Sequence, residues 1–186
     1  MALFPAFIDL KTKKVLVVGG GVVALRKLEK LLPFEPDIKV VSKEFHPETE
    51  RLIGEHCIPY EKRPFSFSDL EGVDIVIVAV DDIKLQEEIF SHTRGKNILV
   101  NSVDSPDYCD FIFPAYVKRS DIVIGISTSG SAPGLSAKIR KHIEKCLPEN
   151  IEEILEEIKS VRNSLPKGEE RQKKILELVD KLFPES

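Results

Sequence analysis

The chain has 186 residues and a net charge of −4, from 27 Lys and Arg against 31 Asp and Glu, which argues against nucleic acid as the main partner. Its apolar fraction of 42% sustains a core and excludes a wholly disordered chain, and no apolar run approaches the roughly 20 residues of a membrane span. Three widely spaced cysteines (Cys57, Cys109, Cys146) and four scattered histidines exclude a disulfide framework and the usual structural zinc spacings, so no resident metal is expected. The first residues lack a charged stretch ahead of their apolar ones, so no secretory signal is expected and the cytoplasm is the default compartment.

The first hundred residues alternate strand and helix signals. Lys14–Val18 is a short run, apolar from Val15 onward and rich in β-branched residues, of the kind that forms a buried parallel strand. Three glycines follow, then apolar residues at helical spacing over 22–32 (Ala24, Leu25, Leu28, Leu31, Leu32), a helix that Pro33 and Pro36 end. Residues 38–41 read as a second strand, 48–54 as a helix and 57–60 as a weak third strand. Residues 74–80 form a strong buried strand, followed by a helix over 84–94 and a strand over 97–100. Such alternation predicts an α/β, Rossmann-like doubly wound parallel sheet.

After Asp104 the pattern changes. Residues 110–117 and 121–127 are strand-like and joined by Lys118-Arg119-Ser120, which predicts an antiparallel hairpin. A small-residue loop over 127–134 leads into a helix over 135–147. Asn150 with Glu153 predicts a capping box for a helix over 151–162, and a last amphipathic helix runs to about Leu182. The expected organisation is a dinucleotide-binding domain over 1–113, a hairpin-and-helix dimerisation and substrate domain over 114–147, and a helical C-terminal domain over 148–186. A hairpin and a few helices bury little alone, so a homodimer through the second part is expected.

Gly19-Gly20-Gly21-Val22-Val23-Ala24 fits G-x-G-x-x-[G/A] between a strand and a helix, the context in which that spacing binds a dinucleotide. Gly19 allows the tight turn and Gly21 a close approach of backbone to pyrophosphate. Ala24 lets helix and strand pack closely, and the helix start at Val22 and Val23 offers N–H groups to phosphate. The second strand ends Val41-Ser42-Lys43-Glu44: Ser42 can bond a ribose hydroxyl and Lys43 can tolerate a 2′-phosphate, which leaves NAD against NADP open. Asp81 and Asp82, at the carboxyl edge of the sheet, suit either cofactor contact or capping of the next helix. Asp104, in Asn101-Ser102-Val103-Asp104-Ser105-Pro106, is either a general base near the nicotinamide or a turn former. Thr128, Ser129 and Ser131 make a second anion-site candidate, although Ser131 with Pro133 also reads as capping. Residues 115–141 hold five cations (Lys118, Arg119, Lys138, Arg140, Lys141) against one acid, Asp121. This patch of +4 suits a small anionic ligand or a merely solvated face.

Taken in order, Val17-Val18-Gly19-Gly20-Gly21-Val22-Val23-Ala24-Leu25-Arg26-Lys27, Ala79-Val80-Asp81-Asp82, the block from Asn101 to Pro106, Phe111-Ile112-Phe113-Pro114-Ala115 and the run from Ser127 to Pro133 resemble the precorrin-2 dehydrogenase family. That family includes the N-terminal part of siroheme synthases and bifunctional dehydrogenase/ferrochelatases. The resemblance also takes in Phe4-Pro5-Ala6-Phe7 and covers about residues 1–147. It implies NAD-dependent oxidation of precorrin-2 to sirohydrochlorin, with Asp104 as the general base and a homodimer as the assembly. In some members the same carboxylate assists Fe²⁺ insertion. The eight carboxylates of the tetrapyrrole would pair with Lys118, Arg119, Lys138 and Arg140, and Thr128, Ser129 and Ser131 would line its pocket. A chain ending at Ser186 is expected to lack the methyltransferase module that siroheme synthases often carry. The alternative is a nucleotide-sensing regulatory module without catalysis. A short-chain dehydrogenase is disfavoured because Tyr108 and Tyr116 lack a lysine four residues on.

Overall fold

The computed structural model describes residues 3–183; the first two residues of the amino-terminal stretch and the chain end at Ser186 lie outside them. The chain divides into two compact units, one ending at Phe113 and one beginning at Pro114. The hairpin and all three C-terminal helices thus share the second unit.

The first unit is a five-stranded parallel sheet in the order β3-β2-β1-β4-β5. Its strands are β1 (Lys14–Val18), β2 (Asp37–Ser42), β3 (Tyr60–Lys62), β4 (Ile75–Val78) and β5 (Leu99–Ser102). In register, Val17 stands beside Val40 on one side and Ile77 on the other, and Ile77 beside Asn101. Val15, Leu16, Val17 and Val18 are all buried, as an uninterrupted apolar strand covered on both faces must be. Helices α1 (Val22–Leu31) and α2 (Pro47–Glu55) cover one face, where Ala24, Leu28, Leu31 and Ile53 pack on Val15, Val17, Val40 and Ile77. Helix α3 (Ile83–Thr93) covers the other, with Ile89 against Leu16, Val18, Val76 and Val100. The sheet is therefore doubly wound, with its topological switch between β1 and β4, where such sheets bind ligands.

Several boundaries differ from expectation for identifiable reasons. α1 gives way at Leu32 to a 3₁₀ turn, Leu32–Phe34, that Pro33 can enter but cannot continue as α-helix. The third strand is not 57–60 but Tyr60–Lys62, because Cys57 sits at φ +51° in the turn that ends α2. The strand expected over 97–100 is displaced to Leu99–Ser102. Residues 110–114 are not strand, since Asp110 is held by Arg94 and Val100.

In the second unit, β6 (Ala115–Arg119) and β7 (Ile122–Ile126) form the antiparallel hairpin, with α4 (Pro133–Cys146) packed on β6. α5 (Ile151–Ser164) and α6 (Glu169–Leu182) pack on each other. Two capping expectations fail. Asn150 does precede α5, but at φ −91° and ψ +19° it is not extended and its side chain makes no cap bond. α4 is preceded by Ala132 rather than Ser131, again without a side-chain cap. Among the described residues, no helix is long and apolar enough to cross a membrane.

Leu28, fully buried under the sheet, tests the packing of α1. Leu28→Ala is expected to cost about 2–5 kcal/mol, measured by urea unfolding.

Candidate functional site

At the end of β1 the backbone makes its closest turns. Gly19 has φ +119°, and a Cβ there would stand 2.3 Å from the carbonyl oxygen of Ala79. A Cβ on Gly20 would stand 2.4 Å from the carbonyl oxygen of Glu44 and 2.7 Å from the Phe45 ring. The protein's own packing thus demands the first two glycines. Gly21 differs, because no atom lies within 4 Å of where its Cβ would be. It begins α1 without a capping side chain, and no acid occupies that helix's first turn. The first intrahelical bond is Leu25 N–H to Gly21 carbonyl, so the N–H groups of Val22, Val23 and Ala24 face outward without an intrahelical acceptor. An open space bounded by bare N–H groups at a helix start suits a pyrophosphate, and the residues present fit a dinucleotide.

The flanking candidates divide. Ser42 follows Val41, whose carbonyl accepts the Gly19 N–H at 2.9 Å. The Ser42 hydroxyl donates to the Glu44 carbonyl at 2.6 Å, and its lone pairs remain able to accept from a ribose hydroxyl. Asp82 caps α3, its carboxylate accepting the Leu85 N–H at 3.1 Å, while Asp81 beside it is exposed. Two buried polar atoms, Gln86 Oε1 on α3 and Ser102 Oγ at the end of β5, have no partner in the protein and leave hydrogen-bonding capacity near this edge of the sheet.

Asp104 lies just past β5, two strands from β1 and hence about 10 Å across the sheet edge at the usual strand spacing. It is exposed and holds φ +59°, a left-handed conformation costing a non-glycine residue about 1 kcal/mol. Its neighbours fix it there. Val103 N–H donates to the Val78 carbonyl at 3.0 Å. The Cys109 sulfur accepts the Ser102 N–H at 3.2 Å, and its thiol lies 3.1 Å from the Ser102 carbonyl and 3.3 Å from that of Ser105. Burial pushes that thiol's pKa up. Beyond it, Asp110 takes both Arg94 guanidinium nitrogens at 2.7 Å and the Val100 N–H at 2.9 Å. The Arg94 guanidinium holds the Asp110 carboxyl below the usual carboxylate range.

One residue in this neighbourhood had no role in the sequence reading. The Lys27 amine, half-buried on α1, donates to Asn101 Oδ1 at 3.2 Å and stands 4.2 Å from the centre of the Phe113 ring. Its pKa falls to about 8, first through burial and then through Lys30. Asn101 in turn donates to the Phe111 carbonyl at 2.9 Å. A lysine on the flank of an amphipathic helix gives no local sign that it turns inward.

In the second unit, Thr128 is built into its loop, accepting the Ala132 N–H and meeting the Ser136 hydroxyl, both at 3.1 Å. Ser129 (φ +53°) and Ser131 are exposed. Lys118 donates to the Ser120 carbonyl at 2.8 Å and Arg140 pairs with Glu144 at 2.8 Å, whereas Lys138 is exposed and Arg119 half-buried. Among the described residues, no three His, Cys, Asp or Glu side chains group as metal ligands would. A shallow groove of about 700 Å³, bordered by Phe67, Asp74, His92 and Ile98, lies at the amino ends of β4 and β5, the opposite edge from the glycine turn.

Residues 6–115 match a family model described as "Putative NAD(P)-binding". The chain belongs to this NAD(P)-binding family. Residues 121–145 match a second model, described as "Sirohaem biosynthesis protein central". The chain is 38% identical over 156 residues to siroheme synthase 1 of Serratia proteamaculans and 39% identical over 156 residues to that of Cronobacter sakazakii. Each alignment covers 84% of this chain and 33% of the relative. The chain thus spans about a third of the length of these curated relatives. Its fold matches that of "SirC, precorrin-2 dehydrogenase" with a TM-score of 0.82 at 24% identity, over 97% of this chain and 91% of that one. The resemblance read from the ordered motifs therefore holds at the level of the family, and the cofactor of the first unit is a nicotinamide dinucleotide.

Two outcomes are expected. Gly21→Asp introduces no clash and supplies a favourable helix cap, so the fold keeps its stability while affinity for reduced nicotinamide dinucleotide drops tenfold or more, read by the ligand's fluorescence in a chain without tryptophan. Asp110→Asn is expected to cost about 1 kcal/mol at pH 7. Because the folded-state pKa of Asp110 is depressed, that difference is full above its unfolded pKa near about 4 and closes as pH falls below it, checked by urea unfolding at both ends.

Proposed function

We propose that this chain oxidises precorrin-2 to sirohydrochlorin with NAD as hydride acceptor, Asp104 being the general base. The observation that carries the reading is the pairing, along one sheet edge, of an open glycine-and-helix cradle at Gly21 with an exposed carboxylate fixed in a left-handed turn at Asp104. The siroheme synthase relatives and the sirohaem-biosynthesis model support the choice of substrate. A sensing module would need the first feature and not the second.

The oxidation removes one hydride and one proton from the macrocycle. The chemistry the dinucleotide supplies when bound is acceptance of the hydride. The protein's part is to hold the pyrophosphate on the N–H groups of Val22 and Val23 and a ribose hydroxyl on Ser42, and to receive the proton on the Asp104 carboxylate. The choice of NAD follows the family resemblance, since Ser42 and Lys43 suit either dinucleotide. Lys118, Arg119, Lys138 and Arg140 are assigned to the carboxylate fringe of the tetrapyrrole and Ser129 and Ser131 to polar contacts with it. A homodimer in the cytoplasm is the working form in this reading.

Asp104→Asn is expected to bind the dinucleotide as the wild type does and to lose turnover by about 100-fold or more. The assay follows the visible spectrum of precorrin-2 with NAD or NADP, and repeats it with Fe²⁺ to test metal insertion into the product. Wild-type turnover by the variant would remove Asp104 as the base, and an inactive wild type that still binds the dinucleotide would favour the sensing module.

A further inference from the structure

Lys27 carries an ammonium into a half-buried place where a methionine would cover the same apolar surface without the cost of removing a charge from water. Its partners there are neutral: the Asn101 side-chain oxygen at 3.2 Å and the face of Phe113 at 4.2 Å. The charged and titratable groups acting on it are Lys30, one turn along the same helix, and Cys109 and Asp104, from the segment that follows β5. Lys27 is thus joined to the Asp104 segment twice. One link is electrostatic. The other runs through Asn101, whose amide group donates to the Phe111 carbonyl at 2.9 Å and lies 3.7 Å from the Cys109 sulfur, the atom that closes the turn containing Asp104.

We infer that Lys27 is a positioning residue for the reaction assigned to Asp104: its bond to Asn101 fixes the segment on which the carboxylate is mounted, and its ammonium sets a positive charge on the flank of that segment. The inference rests on the dehydrogenase reading for its kinetic consequence and on the fold alone for the coupling between the two side chains.

The sign of the pH dependence follows from the groups named. Burial and Lys30 lower the amine to about 8, while Cys109 and Asp104 oppose the fall. The amine is therefore protonated at neutral pH and loses its charge as pH rises through about 8. The Cys109 thiol is pushed upward by burial from a value already above that point, so Lys27 titrates before it on the alkaline side.

Two measurements on the full chain test this. In the first, lysine labelled with ¹³C at Cε is titrated by NMR without substrate. The Lys27 signal is expected to titrate near pH 8 in the wild type and lower in Asp104→Asn, which removes the anion that helps hold the proton. A Lys27 signal that titrates with the surface lysines, or that ignores Asp104→Asn, overturns the inference. In the second, kcat/KM for precorrin-2 oxidation is followed against pH. Lys27→Met is expected to lower it about 10- to 100-fold at pH 7 and to abolish the alkaline fall near pH 8. Lys27→Arg, charged throughout, is expected to recover part of the loss without regaining the alkaline fall. A Lys27→Met enzyme with the wild-type pH profile also overturns it. Should the wild type fail to oxidise precorrin-2, the functional reading fails while the NMR titration still decides the coupling.

Discussion

The first unit depends on backbone meeting backbone above the end of β1. With no side chain at Gly19, the turn packs directly beneath the Ala79 carbonyl; with none at Gly20, it packs beneath Glu44 and Phe45. Any atom added at either place would lift the turn away from its neighbouring strands. That would tilt α1, and with it Ala24, Leu28 and Leu31, off the sheet. The same contacts that close the core also aim the start of α1 at the crevice between β1 and β4, so packing and ligand geometry are set by one pair of missing side chains.

The crevice has an uneven electrostatic character. Its positive side is made of backbone, the unbonded N–H groups at the start of α1, with no acid in the helix's first turn to oppose an incoming anion. Its negative side includes the exposed carboxylates of Asp81, after β4, and Asp104, two strands from β1, while Asp82 is turned to cap α3 and Asp110 is neutralised by Arg94. In the proposed reading, this division lets one edge of one sheet hold an anionic cofactor and still present a base.

Much of this was legible in the chain because strands buried on both faces write themselves as unbroken apolar runs. β1 and β4 are of that kind, and both stand where expected. The short strands were less legible. β3 is three residues long and its start depends on Cys57 adopting a left-handed turn, a conformation that residue type does not announce. The stretch over 110–114 looked extended because it is apolar and aromatic, yet its first residue is taken by an ion pair from α3. Asn150 had the right identity for a cap and the wrong backbone angles. At the site, the glycine spacing was plain, but which glycine faces open space depends on the loops after β2 and β4. The inward turn of Lys27 depends on Asn101 and Phe113, more than seventy residues away.

The bare start of α1 has a thermodynamic corollary. Helices usually begin with a side chain that satisfies their leading amides, an arrangement worth about 1 kcal/mol, and Gly21 provides none. In the proposed reading, a dinucleotide held at this terminus would complete the helix as well as occupy the cleft. Occupancy of such a terminus and folding are linked, so the stability of the first unit is expected to rise with the concentration of the dinucleotide.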